Sequence, residues 1–419
     1  MNGVATLEAS ARERRREQRR AGPARTTAPL ADLARRISTR KARIGVIGLG
    51  YVGLPLAVEF AKEGFTVTGI DLDQRRVEGV NKAKSYILDV TSDDLRKMRQ
   101  AKRLTATDSF DVLGQQDAII ICVPTPLRKT REPDMSYIVS ATEEITKRAR
   151  KGQLIVLEST TYPGTTDEVI LPALAEKGLI AGKDVCIAFS PERIDPGNPT
   201  YQTRTIPKVI GGTTDACTKM AVSLYGSIIH RTVPVSSARA AEMAKLLENT
   251  FRAVNIGLVN EMALVCDRLG IDVWEVIEAA RTKPFGFMPF YPGPGIGGHC
   301  IPSDPVYLAW KARSMGFEAR FIELATQING GMPRYVVEKA TTALNERRKS
   351  MKGSKVLLLG LAYKKDVGDL RDSPAFDVAN LLEARGAELT YHDPHVNTCD
   401  LCGRSEKSVP LTPAKSCRL

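Results

Sequence analysis

The chain lacks several features that would place it in a specialised class of protein. No apolar run reaches the eighteen residues that a membrane helix needs, and no apolar segment follows the N-terminal charges, so a secretory signal is not indicated. The eight cysteines in 419 residues are irregularly spaced, which favours reduced thiols in a cytoplasm over a disulfide scaffold. The four histidines are scattered as well, and we predict no metal site.

The positive charge is concentrated at the N-terminus. The formal net charge is +12, but residues 1–43 hold twelve basic and four acidic residues, so the rest carries only +4. A basic surface for nucleic acid is therefore not indicated. The leader, residues 1–42, has too little apolar surface to offset its ordering entropy, and we expect it to be disordered or loosely helical.

Residues 43–73 have the pattern of a dinucleotide-binding unit. A short apolar strand leads into GLGYVG (48–53), and a helical stretch and a second strand follow. In this motif Gly48 permits a tight turn, Gly50 lets a pyrophosphate approach the backbone, and Gly53 lets the helix pack closely on the strand. The first turn of the helix offers unpaired N–H groups to the phosphates.

An acid closes this unit and bears on the choice of cofactor. Asp71 ends the second strand, where its carboxylate can accept hydrogen bonds from a ribose 2′-OH and would repel a 2′-phosphate. The pattern therefore favours NAD over NADP. Arg75 and Arg76 follow closely, so a pocket that tolerates a phosphate stays open as an alternative.

Three later apolar strands each lead into polar residues. They are predicted over 117–123, 154–157 and 185–189, and are followed by PTP (124–126), ESTT (158–161) and SPER (190–193). Ligands of open α/β sheets bind just beyond the carboxyl ends of parallel strands. We therefore expect these segments to line the binding site.

A long helix is predicted over 238–270, because apolar residues recur there at helical spacing. Lys245 and Asn249 are four residues apart and share one face of it. Taken alone, such a pair is more typical of an exposed surface, and Glu242 and Glu248 read as solvated neighbours.

The strand–helix alternation restarts near residue 352. We predict a strand over 355–359, a phosphate-friendly turn at 360–365, a helix from Pro374 to about Glu383, and a strand over 389–391. After residue 396 the sequence becomes polar and the alternation stops, so Cys399 and Cys402 read as part of an incidental tail. This region is expected to be a second doubly wound unit.

The stretch GPGIGGHCIPSDP (293–305) places Cys300 among glycines and prolines. Glycine allows positive φ and close backbone approach, whereas proline fixes φ and removes a donor. We therefore predict a shaped loop that carries a thiol.

With these segments in order, the chain resembles the nucleotide-sugar dehydrogenases, the family of UDP-glucose 6-dehydrogenase and GDP-mannose 6-dehydrogenase. The matching motifs lie between about residues 43 and 413: GLGYVGLPLA (48–57), CVPTP (122–126), STTYPGTT (159–166), FSPERIDPG (189–197), EMAKLLENTFRAVNIGLVNE (242–261), GIGGHCIPSDP (295–305) and GLAYKKDVGDLRDSP (360–374). The resemblance implies an α/β protein with an N-terminal Rossmann NAD-binding domain, a central helical domain with one long helix, and a C-terminal Rossmann-like UDP-binding domain.

The resemblance also implies a reaction, in which the C6 alcohol of a nucleotide sugar is oxidised twice at the expense of two NAD. Cys300 matches the family nucleophile, which captures the aldehyde as a thiohemiacetal and then carries a thioester. Lys245 matches the lysine that stabilises negative charge on the C6 oxygen. The other catalytic matches are Asn249 and Asp304, which position or activate water, and Thr160 and Glu192, which are polar groups of the same site.

The binding residues are carried over in the same way. The resemblance assigns the cofactor to Gly48, Gly50, Tyr51, Val52, Gly53, Asp71, Arg76, Thr125 and Thr160. It assigns the substrate to Glu192, Arg193, Lys245, Asn249, Lys283, Phe285, Gly297, Lys365 and Arg371. Because the reaction needs a thiolate, we expect nearby N–H groups and cations to lower the pKa of Cys300. His299 is expected to be a loop or substrate contact and not a base.

Within the family, GGHCIP followed by DPVYL and preceded by KPFGFMPFYPGPG (283–295) is most similar to the branch that acts on UDP-N-acetylglucosamine. UDP-N-acetylmannosamine and UDP-N-acetylgalactosamine are close alternatives. A UDP-glucose enzyme typically carries a lysine where this chain has Ser303. Two further alternatives are a non-catalytic nucleotide-binding member and a dehydrogenase of the hydroxyacid or 6-phosphogluconate type, which lacks an essential cysteine.

The expected organisation is a leader (1–42), an NAD-binding domain (43–235), a central catalytic and dimerisation domain (236–345) and a partial UDP-sugar domain (346–419). The family's third domain normally continues past this end, so we expect an open sheet edge, a weak uridine site and reduced stability. The expected partners are a UDP-sugar and further copies of the chain in a cytoplasm, with no nucleic acid and no membrane.

Overall fold

The computed structural model describes residues 27–87, 89–128, 130–194 and 201–410. Within these ranges the chain forms an eight-stranded α/β unit, a group of long helices, and a smaller α/β unit. None of the described helices has the length and apolarity to cross a bilayer. The fold class predicted from the sequence is confirmed.

The first unit is built on one open sheet. Its strands are β1 (Arg43–Ile47), β2 (Thr66–Ile70), β3 (Leu104–Thr107), β4 (Ala118–Ile121), β5 (Gln153–Leu157), β6 (Val185–Phe189), β7 (Lys208–Gly212) and β8 (Thr232–Val235). They lie in the order β3-β2-β1-β4-β5-β6-β7-β8 and pair in parallel, except that β6 and β7 are antiparallel. The order reverses between β1 and β4, which is where such sheets bind ligands.

Helices cover both faces of this sheet, so its central strands are apolar throughout. Every residue of β4, β5 and β6 is buried. The helices of the unit are α1 (Ala28–Ser38), α2 (Gly53–Lys62), α3 (Gln74–Asn81), α4 (Ser92–Gln100), α5 (Ser136–Arg148), α6 (Leu171–Glu176) and α7 (Asp215–Tyr225), with a 3₁₀ segment at Phe110–Gln115 and a π-helical turn at Thr166–Ile170.

Helix α1 lies in the predicted leader and differs from the expectation for that segment. Leu30, Leu33 and Ile37 recur at helical spacing and are at most 1% exposed in the core of the first unit. Arg36 pairs with the buried carboxylate of Asp117 at 2.8 Å. The leader was expected to be disordered or loosely helical, whereas residues 28–38 form a docked helix, because its three apolar side chains lie on one face and are buried. Residues 1–26 lie outside the described residues.

The central helices are α8 (Ala238–Leu269), α9 (Val273–Arg281), α10 (Cys300–Ser314) and α11 (Arg320–Glu346). The hydroxyl of Ser237 accepts a hydrogen bond from the Ala240 amide and caps the start of α8. Gly270 ends that helix with a φ of +69°, which favours glycine. Between these caps α8 runs for 32 residues and packs against α10 and α11.

The third unit pairs β9 (Lys355–Leu359) in parallel with β10 (Glu388–His392) and carries α12 (Pro374–Ala384). It repeats the turn of the first unit, since Asp393 accepts from the Leu361 and Ala362 amides just as Asp71 does from the Leu49 amide. The predicted phosphate-friendly turn is nevertheless incomplete, because the next helix begins only at Pro374 and no helix N-terminus follows the turn directly.

A β-hairpin replaces the incidental tail that the sequence indicated. Strands β11 (Thr398–Leu401) and β12 (Arg404–Lys407) pair antiparallel around Cys402 and Gly403. Leu401 is 2% exposed and packs into the core of the third unit. The sequence does not indicate this hairpin because both strands are short and polar. Residues 411–419, which include the predicted end of the family match and Cys417, lie outside the described residues.

Candidate active site

The glycine turn after β1 is shaped by two close backbone approaches. Gly48 has a φ of +93°, and a Cβ there would lie 2.4 Å from the Cys122 carbonyl oxygen. A Cβ at Gly53 would lie 1.8 Å from the Gly48 carbonyl oxygen. At Gly50 the nearest atom to such a Cβ is 3.9 Å away, on the Arg76 guanidinium, so this glycine faces open space. The turn therefore fits a pyrophosphate at Gly50, above the start of α2.

Asp71 lies at the end of β2 beside this turn. Its carboxylate accepts hydrogen bonds from the Leu49 amide at 2.7 Å and the Asp73 amide at 2.9 Å, and it pairs with Arg76 at 3.2 Å. These contacts hold the carboxylate where a ribose would lie, with acceptor positions to spare for its hydroxyls. The residues present fit NAD.

The other cofactor residues predicted from the sequence surround the same crevice. Tyr51 is exposed within the turn, and Val52 directly precedes α2. Thr125 is buried in the segment after β4, and Thr160 is partly buried in the segment after β5. All four follow the carboxyl ends of β1, β4 or β5, next to the point where the strand order reverses.

Cys300 begins a helix, so the prediction of a loop holds only up to His299. Helix α10 runs from Cys300 to Ser314 in spite of Pro302 and Pro305. Pro302 lies in the first turn, where the backbone N–H has no intrahelical partner, and Pro305 removes one bond inside the helix. The helix continues because its inner face is buried, with Tyr307 at 1% exposure. Cys300 itself is exposed.

The glycines before Cys300 let this segment lie against the third unit. A Cβ at Gly297 would lie 2.5 Å from the Tyr363 Cβ, and one at Gly298 would lie 2.8 Å from the ring of the same tyrosine. The Gly298 amide donates to the Arg371 carbonyl oxygen at 2.9 Å. Gly297 therefore acts here through close packing, and side chains at either glycine would push Cys300 away from the third unit.

Arg371 links the third unit to the cofactor turn. Its guanidinium binds the Asp369 carboxylate and stacks 5.2 Å from the centre of the Tyr51 ring. It also lies close enough to Cys300 for its charge to affect the thiol. Arg371 is thus placed between the predicted cofactor turn and the predicted nucleophile.

The pKa of the Cys300 thiol is raised, contrary to the expectation from the sequence. Although part of the residue is exposed, the protein packed around the sulfur desolvates it and so disfavours the thiolate, and the carboxylate of Asp304 adds to this effect. The charges of Lys245 and Arg371 act in the opposite direction and are outweighed. The thiol therefore needs a proton acceptor when it attacks.

Lys245, Asn249 and Asp304 are brought together beneath Cys300. Lys245 and Asn249 lie on the buried face of α8, at 8% and 5% exposure. The expectation from the helix pattern alone, that this pair is exposed to solvent, was therefore wrong. The Asn249 side-chain amide donates to the Asp304 carboxylate one turn into α10. Burial raises the pKa of Asp304 to about 6, against the opposing effects of Lys245 and Asn249.

Glu192 is held by its own segment and by a lysine. One carboxylate oxygen accepts from the Arg193 and Ile194 amides at 2.6 and 2.7 Å, and the other lies 3.3 Å from Lys208 Nζ. The group that meets Lys245 is the Glu192 carbonyl oxygen, at 2.7 Å. Arg193 turns away to pair with Glu248. Residues 195–197 of the predicted motif lie outside the described residues.

Two buried acids were missed from the sequence. Glu242 is fully buried and accepts hydrogen bonds from the Gly164 and Thr166 amides and the Thr166 hydroxyl, so it is no solvated neighbour. Glu158 is 1% exposed and pairs with Lys208 at 3.1 Å. Glu158 directly follows an apolar strand, which is the signal that marks it.

Three predicted substrate residues lie on the surface. Lys283 and Phe285 are exposed and contact each other, with the ammonium 5.1 Å from the centre of the ring. Lys365 is exposed in the loop after β9. Across the described part of the chain, no cluster of three or more His, Cys, Asp or Glu could hold a metal ion.

A dinucleotide crevice that adjoins an exposed cysteine, with a buried lysine and acid beneath it, defines an NAD-dependent dehydrogenase. Models of the UDP-glucose/GDP-mannose dehydrogenase family match the chain in three parts: the NAD-binding domain at residues 42–229, the central domain at 239–330, and the UDP-binding domain at 357–409. The chain belongs to this family, and it is an NAD-dependent nucleotide-sugar 6-dehydrogenase.

The individual relatives differ in the substrate that their names give. The chain is 40% identical over 360 residues to a UDP-N-acetyl-D-glucosamine 6-dehydrogenase of Pseudomonas aeruginosa, covering 85% of this chain and 84% of the relative. It is 35% identical over 382 residues to a UDP-N-acetyl-D-mannosamine dehydrogenase of Campylobacter jejuni, covering 88% and 90%. Among solved structures, the UDP-D-ManNAc dehydrogenase of Pyrococcus horikoshii matches with a TM-score of 0.80 at 34% identity, covering 84% of each chain.

Proposed function

We propose that the chain oxidises the C6 alcohol of UDP-N-acetylglucosamine to the uronic acid, in two steps that pass through a covalent intermediate on Cys300. The observation that carries the proposal is the position of this thiol. Cys300 begins the helix that holds Asp304, and Asp304 is bound to Asn249 on the helix that holds Lys245. A nucleophile, a base of raised pKa and a cation thus converge at one site.

The first half of the reaction yields an aldehyde that is captured. The C6 carbon loses a hydride, and its hydroxyl proton passes through the water held by Asn249 to the Asp304 carboxylate, which returns it to solvent, while Lys245 stabilises the negative charge on the oxygen. When bound, NAD accepts the hydride of each oxidation. The sulfur of Cys300 then adds to the aldehyde carbon, and its proton passes to the C6 oxygen, giving a thiohemiacetal. Capture keeps the reactive aldehyde from leaving.

The second half releases the acid. The thiohemiacetal loses a hydride and passes its hydroxyl proton by the same route to Asp304 and solvent, which gives a thioester, again with Lys245 beside the oxygen. A water held by Asn249 attacks the thioester carbon and gives a proton to Asp304, and the sulfur of Cys300 leaves. A pKa of about 6 suits Asp304 to accept this proton near neutral pH. Thr160 and Glu192 serve as polar groups that orient the substrate.

The preference for UDP-N-acetylglucosamine is supported by the motif around Cys300 and by the relative at 40% identity. Ser303 stands where a UDP-glucose enzyme typically carries a lysine. UDP-N-acetylmannosamine is the second candidate, because relatives that bear this name match at 35% identity over a similar length. In the wider proposal, the product enters surface polysaccharide synthesis and the enzyme acts in the cytoplasm.

We also propose that the chain acts as a homo-oligomer. Large apolar side chains stand exposed along α8 and α9, among them Leu247, Phe251, Leu258 and Trp274. Several such residues on neighbouring helices form an apolar surface of the kind that interfaces cover. A second copy of the chain with its own α8 and α9 supplies a matching apolar surface. Light scattering on the purified chain tests this part of the proposal.

The decisive experiment is an assay of NADH formation against UDP-N-acetylglucosamine, UDP-N-acetylmannosamine, UDP-N-acetylgalactosamine and UDP-glucose, with the product identified by mass. We expect two NADH for each uronic acid and the highest kcat/KM with UDP-N-acetylglucosamine. Cys300→Ala is expected to abolish uronate formation and retain NAD binding. The matched control, Cys399→Ala in the hairpin of the third unit, is expected to keep full activity.

Each alternative predicts a different outcome. A non-catalytic member turns over none of the four sugars even with Cys300 intact. A dehydrogenase without an essential cysteine retains its activity in Cys300→Ala. A different hexosamine preference leaves the cysteine result unchanged and reorders the kcat/KM values alone.

A further inference from the structure

A buried ionic cluster lies under the segment that contains Glu192. Lys208, at the start of β7, is 4% exposed. Its ammonium lies 3.1 Å from Glu158, 3.3 Å from the Glu192 carboxylate and 3.3 Å from the Pro191 carbonyl oxygen. The Tyr225 hydroxyl donates to the second carboxylate oxygen of Glu158. The cluster thus joins the ends of β5 and β6 to one side chain of β7.

Charges of this kind are costly to bury. Moving an ammonium and two carboxylates out of water costs several kcal/mol for each ion, and apolar replacements of similar volume are often no less stable. Here mutual attraction keeps Lys208 and Glu192 ionised. Burial would lower the pKa of Lys208, but the carboxylates of Glu158 and Glu192 outweigh it and raise this pKa. Burial would raise the pKa of Glu192, but Lys208 and the backbone amides of Arg193 and Ile194 outweigh it and lower this pKa. Such a cluster is weak evidence of added stability, and its other attested effect is to fix the orientation of the groups that it joins.

The cluster leads directly to the catalytic lysine. Lys208 contacts Glu192 and the preceding carbonyl, and the carbonyl oxygen of Glu192 itself accepts the hydrogen bond of Lys245 at 2.7 Å. Lys208 therefore anchors Glu192 through its side chain and through the carbonyl of the residue before it, while the carbonyl oxygen of Glu192 itself binds Lys245. Lys208 was not among the residues that the sequence indicated.

We propose that Lys208 is a positioning residue, which fixes the Glu192 segment so that its carbonyl oxygen aims the Lys245 ammonium at the C6 oxygen of the substrate. The inference rests on the proposed function of Lys245. It predicts that removal of Lys208 acts on turnover only through Lys245. A residue with a merely structural role would lower activity whether or not Lys245 is present.

The test is a double-mutant cycle on kcat with the sugar found active in the panel. Lys208→Met keeps the length of the side chain and removes the charge. We expect it to lower kcat about tenfold or more when Lys245 is present, and less than about twofold in the Lys245→Met chain, with the KM for NAD unchanged in both. Equal losses in the two backgrounds, or no loss in either, would refute the proposal.

The control is Ile210→Ala, two residues further along the same strand. Ile210 is fully buried in the core but has no part in the cluster, so its replacement destabilises the fold without touching Glu192. We expect its kcat to stay near that of the parent chain. A loss equal to that of Lys208→Met would show that β7 matters only for folding.

A second measurement does not depend on turnover and separates this inference from the proposed function. Limiting acetic anhydride labels lysines according to their access and protonation, and peptide mass spectrometry reports the extent at Lys245. We expect labelling of Lys245 to rise several-fold in Lys208→Met and to stay unchanged in Ile210→Ala. Should Lys208→Met fail to fold, Glu158→Gln weakens the same anchor and should raise the labelling in the same direction. Unchanged labelling in the folded variants would overturn the inference, even if the sugar assay succeeds.

Discussion

Replacement of Asp304 by asparagine should make the protein more stable and less active. The side chain is 3% exposed, and burial raises its pKa from 3.8 to about 6. Because the folded pKa is the higher one, the native state retains a proton that the unfolded chain releases between about pH 4 and 6. The native state is therefore penalised as the pH rises through this window. At pH 7 the penalty approaches about 3 kcal/mol, from a shift of roughly two pKa units.

Asp304→Asn removes this penalty, since an amide does not ionise. The new amide nitrogen needs an acceptor, which offsets about 1–3 kcal/mol of the gain if none is found. The most informative quantity is thus the pH dependence of the difference between variant and parent. We expect the advantage of Asp304→Asn to be largest above pH 7 and to fall by up to about 3 kcal/mol toward pH 4, measured by denaturant or thermal unfolding. Turnover should be low at every pH, because the base is absent.

The control is Asp393→Asn, for which the pKa shift and the expected change in stability have the opposite sign. Asp393 is also buried, but three backbone amides outweigh burial and lower its pKa. Asp393→Asn should therefore be less stable than the parent at neutral pH, with the deficit shrinking as the pH falls. If the stability difference for Asp304→Asn is independent of pH while that for Asp393→Asn changes as described, the assignment of a raised pKa to Asp304 is incorrect.

Three further predictions test other parts of the structure. Leu33→Ala should lower the free energy of unfolding by about 2–5 kcal/mol, because Leu33 is buried in the core, whereas Arg35→Ala on the exposed face of the same helix should change it little. Gly297→Ala should lower kcat by roughly 10- to 100-fold with little change in the KM for NAD, because its Cβ would lie 2.5 Å from Tyr363 and displace Cys300. Asp71→Asn should raise the KM for NAD about tenfold through a weakened hydrogen bond to the ribose, and unchanged kinetics would contradict the placement of the cofactor.

Much of the first unit could be predicted because its signals are local. The strand, glycine turn, helix and acid between residues 43 and 71 follow from spacing alone, and the structure places them within one or two residues of the prediction. The bounds of α8 were predicted equally well, since apolar periodicity extends over nine turns and Gly270 ends it. The local sequence determines these elements, and contacts with distant parts of the chain add little to them.

The missed features depend on contacts between distant segments. Helix α10 contains two prolines, and only the burial of its inner face against α8 makes it helical beyond Cys300. Glu242 and Lys208 look like ordinary surface residues in the sequence. Both are buried in the fold, where Glu242 contacts Thr166, 76 residues away, and Lys208 contacts Glu158, 50 residues away. The pKa of Cys300 was misjudged for the same reason, since desolvation and the charge of Asp304 are properties of the folded site.

The buried carboxylate of Glu242 also bears on how substrate enters. It binds the Gly164 and Thr166 amides of the first unit from the first turns of α8, and because the carboxylate is fully buried, separating the two would break these bonds in a site shielded from solvent. The long helix and the sheet should consequently move as one body. A movement that admits the sugar is then expected at the contact of Tyr363 and Arg371 with Gly297 and Gly298. Such a movement would leave Lys245 in a constant position relative to the sheet, since both belong to the part joined by Glu242.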